Sequence, residues 1–351
     1  MRVAIRADAS VEVGTGHVMR CLALADALQE MGAEIVFVCR DLAGNLCDLI
    51  EARRFPVCRL PRLDGNDPDW RLDAEQSGAS LSKHWPKADW LIVDHYRLDG
   101  RWETLARAFS EKVMAIDDLA DRPHDCDLLL DQNYCHGMDS RYSGLVPSQC
   151  RLLLGPKYAL LRAEFSRARA GLKQRDGTLQ RILVFFGGSD PSNETAKALA
   201  GIRQFNLPKV ALDVVVGSSN PQREEVRRLC DTLPNAAYHC QVDNMAEMMA
   251  NADLAIGGGG TTTWERCCLG LPALVAILAD NQAELVKAVA EYGAIVNLGW
   301  ADRLSSADYR RALEAITPER LAGMRQLGIG LVDGQGRERV AEVLGQLGGW
   351  G

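Results

Sequence analysis

Short apolar runs alternate along this chain with longer segments in which apolar positions recur at helical spacing. That alternation predicts parallel strands buried on both faces and covered by helices. In the first half the runs are RVAIRA (2–7), EIVFVC (34–39), WLIVD (90–94), KVMAID (112–117), LLLDQ (128–132) and RLLLG (151–155). Segments such as HVMRCLALADALQEMG and RWETLARAFSE predict helices between them. The second half restarts with RILVFFGG (181–188), LDVVVG (212–217), AAYHCQ (236–241), DLAIGG (253–258), PALVAIL (272–278) and AIVNLG (294–299). Between the two sets, FSRARAGLKQRDGTLQ (165–180) is polar and broken by glycine, which marks a boundary. The expectation is α/β: two doubly wound, Rossmann-like parallel-sheet domains, 1–168 and 180–351, with ligands at the carboxyl ends of the strands in an interdomain cleft.

Composition narrows the function classes. A chain of 351 residues with 47% hydrophobic and 25% charged residues is ordinary globular material for two cores. It has no run of about 18 apolar residues, and MRVAIRADAS does not read as a leader, so a cytoplasmic location is expected. A net charge of −7 argues against a nucleic-acid partner, and any anionic ligand must be held by local groups. The eleven cysteines lack a C-x-x-C pair and read as reduced core thiols, and no histidine cluster has zinc spacing.

Several stretches carry chemistry. In VGTGHVMR, Gly14 and Gly16 suit a tight loop between strand and helix, where a backbone without Cβ approaches a ligand closely. His17 then lies in the first helical turn, where the positive end of the helix dipole favours a neutral imidazole able to take a proton from water. Alternatively it packs on the face of Cys21, Leu24 and Leu28. In DLAIGGGGTTTWERCCLGLP, Gly259 and Gly260 belong to a four-glycine run that leads through Thr261 and Thr262 into a helix, a phosphate-binding pattern. Glu265 either accepts from the two hydroxyls of a ribose or closes a capping box with Thr262. Gly187, Gly188 and Ser189 follow another strand; Pro191 suits a helix start that Ser192 or Asn193 could cap. Asn281 and Gln282 begin a further helix, where their amides could meet a sugar or cap. Asp94, His95 and Tyr96 lie at a strand's carboxyl end, while Asp125-Cys126-Asp127 spells a D-x-D pattern but reads as loop and strand entry. The methionines of NMAEMMANAD read as core packing.

RADASVEVGTGHVMRCLALADAL, VDHYRLD, IDDLADR, FFGGSDPSN and GGGGTTTWERCCLGLP together resemble the UDP-2,4-diacetamido-2,4,6-trideoxy-β-L-altropyranose hydrolases of pseudaminic acid biosynthesis. Relatives of that family also occur in spore coat polysaccharide pathways. The second half is similar to the nucleotide-sugar domain of the glycosyltransferase that adds N-acetylglucosamine to the peptidoglycan lipid precursor. The resemblance implies a GT-B fold, a UDP-sugar substrate and water in place of an acceptor. It implies no metal and no cofactor. It maps the catalytic base onto His17, the tyrosine near the sugar onto Tyr96, an active-site asparagine onto Asn281 and the ribose glutamate onto Glu265. The expected substrate contacts are Gly14, Gly16, Asp94, Gly188, Ser189, Gly259, Gly260, Thr261, Thr262, Glu265 and Gln282. A small-molecule UDP-sugar is the expected partner, without stable membrane association and with the oligomeric state open. A GT-B transferase and a non-catalytic nucleotide-sugar sensor are the rival expectations.

Overall fold

The computed structural model describes residues 1–62, 69–173, 175, 177–205 and 207–350, so positions 174 and 176 of the expected boundary segment lie outside the described residues. The chain divides into two compact units, one of Met1–Arg162 with Gln335–Gly351, the other of Ala163–Gly334.

In the first unit the strands are β1 (Arg2–Ala7), β2 (Glu34–Arg40), β3 (Val57–Leu60), β4 (Ala88–Asp94), β5 (Ser110–Ile116), β6 (Leu128–Asp131) and β7 (Arg151–Leu154). They form one sheet in the order β3-β2-β1-β4-β5-β6-β7, with every pairing parallel. Residue parity explains the layers. Val3, Ile5 and Ala7 of β1 pack with Leu24 and Leu28 on one face, while Ala4 packs with Leu91, Val93 and Trp102 on the other. The short edge strand β3 was not among the expected strands; four residues with an exposed Arg59 give too little apolar pattern to read.

The second unit contains β8 (Arg181–Phe185), β9 (Ala211–Val216), β10 (Ala236–Cys240), β11 (Leu254–Gly258), β12 (Ala273–Ile277) and β13 (Val296–Trp300). Their order is β10-β9-β8-β11-β12-β13, again parallel throughout. Each sheet therefore reverses its strand order once, at β1/β4 and at β8/β11. Connections leave these strand pairs in opposite directions, which opens a crevice at their carboxyl ends.

Two boundaries differ from expectation. The helix Ala163–Ala170 belongs to the second unit, where Arg169 donates to the carbonyls of Cys268 (2.7 Å) and Val332 (2.8 Å). The expected second domain running to 351 is also corrected. The closing helix Gly336–Leu347 packs on the helix Gly16–Glu30 of the first unit, burying Val340 and Leu344 completely among Leu24 and Leu28. Gly336 permits the approach, since a Cβ there would lie 2.3 Å from the Ala159 carbonyl oxygen. The amphipathic pattern of this helix shows that a face is covered, not what covers it.

All eleven cysteines are free thiols, buried except for Cys150 and Cys240. Met245, Met248 and Met249 are buried, as their spacing predicts. Among the described residues no helix is long and apolar enough to cross a membrane. Leu344→Ala should destabilise the first unit by about 2–5 kcal/mol. Hydrogen exchange should then show faster exchange in β1 and the helix Gly16–Glu30 with β8 to β12 unchanged; loss of protection in β8 to β12 instead would contradict the assignment of this helix.

Candidate active site

At the β1/β4 switch point a single carboxylate organises the first unit. Asp94, the last residue of β4, is completely buried and pairs with Nδ1 of His17 through Oδ1. Arg20, one helical turn after His17, grips the same carboxylate with two bonds, Nε to Oδ2 at 2.6 Å and Nη2 to Oδ1 at 2.7 Å. Cys21 donates to Oδ2 at 3.5 Å, and Arg20 reaches Asp118 Oδ2 at 3.1 Å. Burial opposes ionisation, but Arg20 and then His17 overcome it and hold Asp94 well below the usual carboxylate range. An ionised Asp94 accepts a hydrogen bond from Nδ1–H of His17, which leaves Nε2 as the ring nitrogen not engaged by the carboxylate. Tyr96 stacks edge-on against the imidazole, with ring centroids 4.6 Å apart and planes at 83°.

Asp94, expected as a substrate contact, is engaged by His17 and Arg20 and holds the His17 ring in place. Arg20, which the sequence analysis missed, had one signal: its i, i+3 spacing from His17 on a helix. Gly16 opens that helix, whereas the Gly14 N–H is engaged by the Ser10 carbonyl (2.8 Å), so Gly14, at φ +82°, serves the turn.

A second buried cluster stands beside this one. Arg6 pairs with Asp8 and Asp73, Arg40 pairs with Asp73, and Trp102 donates to Asp73 at 3.0 Å. His95 takes an N–H from Arg97 on Nδ1 and faces Asp8 with Nε2 at 3.4 Å. Burial lowers its pKa, against the pull of Asp8, so it is a neutral structural histidine. The D-x-D carboxylates, Asp125 and Asp127, are both held by Arg107, at 3.0 and 3.1 Å. Nearby, His124 bonds Glu103 at 2.7 Å and faces Asp117 at 3.8 Å. Burial opposes its charge, yet those carboxylates raise its pKa to about 9.

The β8/β11 switch point carries the glycine-rich stretches of the second unit. Gly257 is required by close approach, because a Cβ there would stand 2.2 Å from the Phe185 carbonyl oxygen. Gly187 has φ +93°, which favours glycine. Gly188 and Ser189 are partly exposed past the end of β8, and Gly260, Thr261 and Thr262 are partly exposed past β11. Gln282 ties the loop down: its Oε1 accepts from the N–H groups of Gly259 (3.2 Å) and Leu278 (3.0 Å). Gly259, expected as a substrate contact, is buried with its N–H on Gln282 and anchors the loop. With Oε1 engaged, Gln282 has Nε2, a donor, near Gly260.

The helix after the loop runs Thr262–Cys268 with Thr261 at its N-cap and no side-chain cap bond, so the expected capping box beginning at Thr262 is out of register. Glu265 is partly exposed on that helix. Asn281 is exposed in the turn Asp280–Gln282. The expected cap at Ser192 or Asn193 is replaced by Asp190, which accepts from the N–H groups of Glu194 (2.9 Å) and Thr195 (3.0 Å). Asn193 instead adopts φ +53°, so the chain turns sharply before the helix Glu194–Phe205 begins.

Residues 182–306 match the Glycosyltransferase family 28 C-terminal domain. The chain is similar to the spore coat polysaccharide biosynthesis protein SpsG of Bacillus subtilis, 28% identical over 357 residues that cover 99% of this chain and 98% of that protein. It is also similar to the UDP-2,4-diacetamido-2,4,6-trideoxy-beta-L-altropyranose hydrolase of Campylobacter jejuni, 29% identical over 258 residues, 73% of this chain and 84% of that one. Among solved structures, MurG of Acinetobacter baumannii superposes with a TM-score of 0.69 at 16% identity, covering 98% of this chain and 99% of MurG. The chain has the GT-B fold.

Asp94→Ala should cost about 3–5 kcal/mol in chemical denaturation, because it strands the buried charge of Arg20. His124, protonated in the folded state up to about pH 9 and to 6.5 when unperturbed, adds stability that is complete below pH 6.5 and lost as the pH rises to about 9. Denaturation of His124→Gln across that window should show a flatter pH profile than the parent protein.

Proposed function

We propose that this chain is an inverting hydrolase of a UDP-sugar, acting in the cytoplasm on UDP-2,4-diacetamido-2,4,6-trideoxy-β-L-altropyranose in pseudaminic acid biosynthesis. The observation that carries the reading is the coupling of His17 to Asp94 and Arg20 at the carboxyl ends of β1 and β4. Such a pairing leaves Nε2 free of the carboxylate and fixes the ring, as general-base catalysis requires. In the reaction the oxygen of a water attacks the anomeric carbon and its proton passes to Nε2 of His17. The bond from that carbon to the β-phosphate oxygen breaks, with its electron pair leaving on UDP. The sugar departs with a new hydroxyl and inverted configuration. Tyr96 and Asn281 would position sugar and water, and Gly16 would let the sugar approach the start of the His17 helix. Glu265 would accept from the ribose hydroxyls. Gly188, Ser189, Gly260, Thr261, Thr262 and the Nε2 of Gln282 would receive the diphosphate, whose charge grows as the bond breaks. The similarity to a relative named as this hydrolase, over 73% of the chain, supports the substrate.

A glycosyltransferase using the same nucleotide site is the second reading, favoured by the match of 182–306 to a glycosyltransferase domain. Incubation with the UDP-sugar in water enriched in heavy oxygen, without any acceptor, separates the two. Hydrolysis releases UDP and places the label on the anomeric carbon of the inverted sugar; release only when an acceptor is added establishes the transferase. His17→Ala should lower kcat by about 10² to 10⁴ fold with UDP affinity unchanged. Turnover that survives this substitution while UDP affinity collapses would remove His17 from the role of base.

A further inference from the structure

Beneath the glycine run lies a cation that the proposed reaction does not yet use. Arg266, on the helix Thr262–Cys268, is 2% exposed. Its side chain turns back to the end of β11, where Nη2 donates to the Gly258 carbonyl at 2.7 Å and to the Thr263 hydroxyl at 3.0 Å. Nη1 crowds the same point from which the Phe185 carbonyl excludes a Cβ, standing 3.1 Å from the Cβ that Gly257 lacks. The guanidinium is thus lodged at the β8/β11 switch point, directly under the glycine loop.

Among the described residues no carboxylate forms an ion pair with it, the neighbouring Glu265 favouring its charge only from beyond that distance, and its buried Nε has no acceptor. The contrast within the protein is sharp. Arg6, Arg20 and Arg40, equally buried, each hold one or two aspartates. A buried charge without a counterion is costly, and one carbonyl and one hydroxyl do not replace the missing anion. Burial lowers the pKa of Arg266 only to about 10, so the charge persists at neutral pH.

We infer that Arg266 is a positioning residue whose buried charge is completed by the diphosphate of the bound nucleotide, acting through the Gly257–Gly260 backbone rather than by touching the ligand. The inference rests on the nucleotide-diphosphate reading of the site. In a chain of net charge −7 it adds one desolvated cation to the backbone and side-chain donors that would receive the diphosphate, where the low local dielectric makes a single charge effective.

The test compares binding of UDP, UMP and uridine to the full chain and to its Arg266→Gln and Arg266→Lys variants by calorimetry and ligand-observed NMR. Arg266→Gln should weaken UDP by about tenfold or more, UMP by less, and uridine by under about twofold. Arg266→Lys, which keeps the charge, should recover part of the UDP affinity. Without ligand, Arg266→Gln should melt no lower than the parent, since it removes an uncompensated charge. Equal loss for UDP and uridine, or failure of both variants to fold, would make Arg266 structural and overturn the inference. If the unaltered chain itself fails to bind UDP, it is the nucleotide reading that falls.

Discussion

The Asp94 carboxylate is the constraint on which the first unit's chemistry depends. It is fully buried, so it must be paired, and it lies at the end of β4, where the neighbouring β1 leads into the helix bearing both partners. Arg20 supplies the charge that keeps Asp94 ionised, and the ionised Asp94 then fixes the ring and tautomer of His17. The order of these dependencies matters. Without Arg20 the carboxylate would be pushed towards its neutral form, and a neutral acid would no longer specify the tautomer of the imidazole. Tyr96, two residues beyond Asp94, closes the other side of the ring, so a few residues of one strand end and one helical turn define the whole arrangement.

The second unit solves a different problem with the same topology. Its strand ends pack tightly at the switch point, and the glycines at 257 and 187 allow this through the close approach of the Phe185 carbonyl and through a positive φ respectively. Gln282 then uses its carbonyl oxygen to tie down the Gly259 and Leu278 amides, which fixes the loop while leaving its outer residues partly exposed. Positive charge is supplied from below by Arg266 instead of from a basic surface. On the proposed nucleotide reading this suits an acidic chain, because a desolvated charge is screened little by salt whereas an exposed one is screened within a Debye length.

Buried ion pairs at the strand ends set the two units apart. In the first, Arg6, Arg40, Asp8 and Asp73 neutralise one another beneath β1 and β2, and His95 stays neutral beside them. These pairs bury charges in closed sets, so they hold the strand ends in register without calling for a ligand. Arg266 is the open counterpart.

Much of this was legible in the residues themselves. Runs such as RVAIRA and RILVFF are apolar at both parities, so they can only be strands covered on both faces, and the restart at Arg181 told of a second sheet. His17, Tyr96 and the glycine run stood out because their residue types are conspicuous next to strand ends. Partnership was not legible. That Asp94 turns inward to His17, that Arg20 joins it, that Gln282 clips Gly259 and that Asp190 caps the helix at Glu194 are matters of distance between positions far apart or differently oriented in the chain. The closing helix shows the same limit, since its apolar stripe requires a cover but tertiary packing chose the helix Gly16–Glu30. Periodicity and residue type are local, and so the sequence determined the elements and the candidate chemistry. Hydrogen bonds and ion pairs are decided by which atoms meet once the sheets form, and only the tertiary structure could say which carboxylate orients His17 and which arginine is left without one.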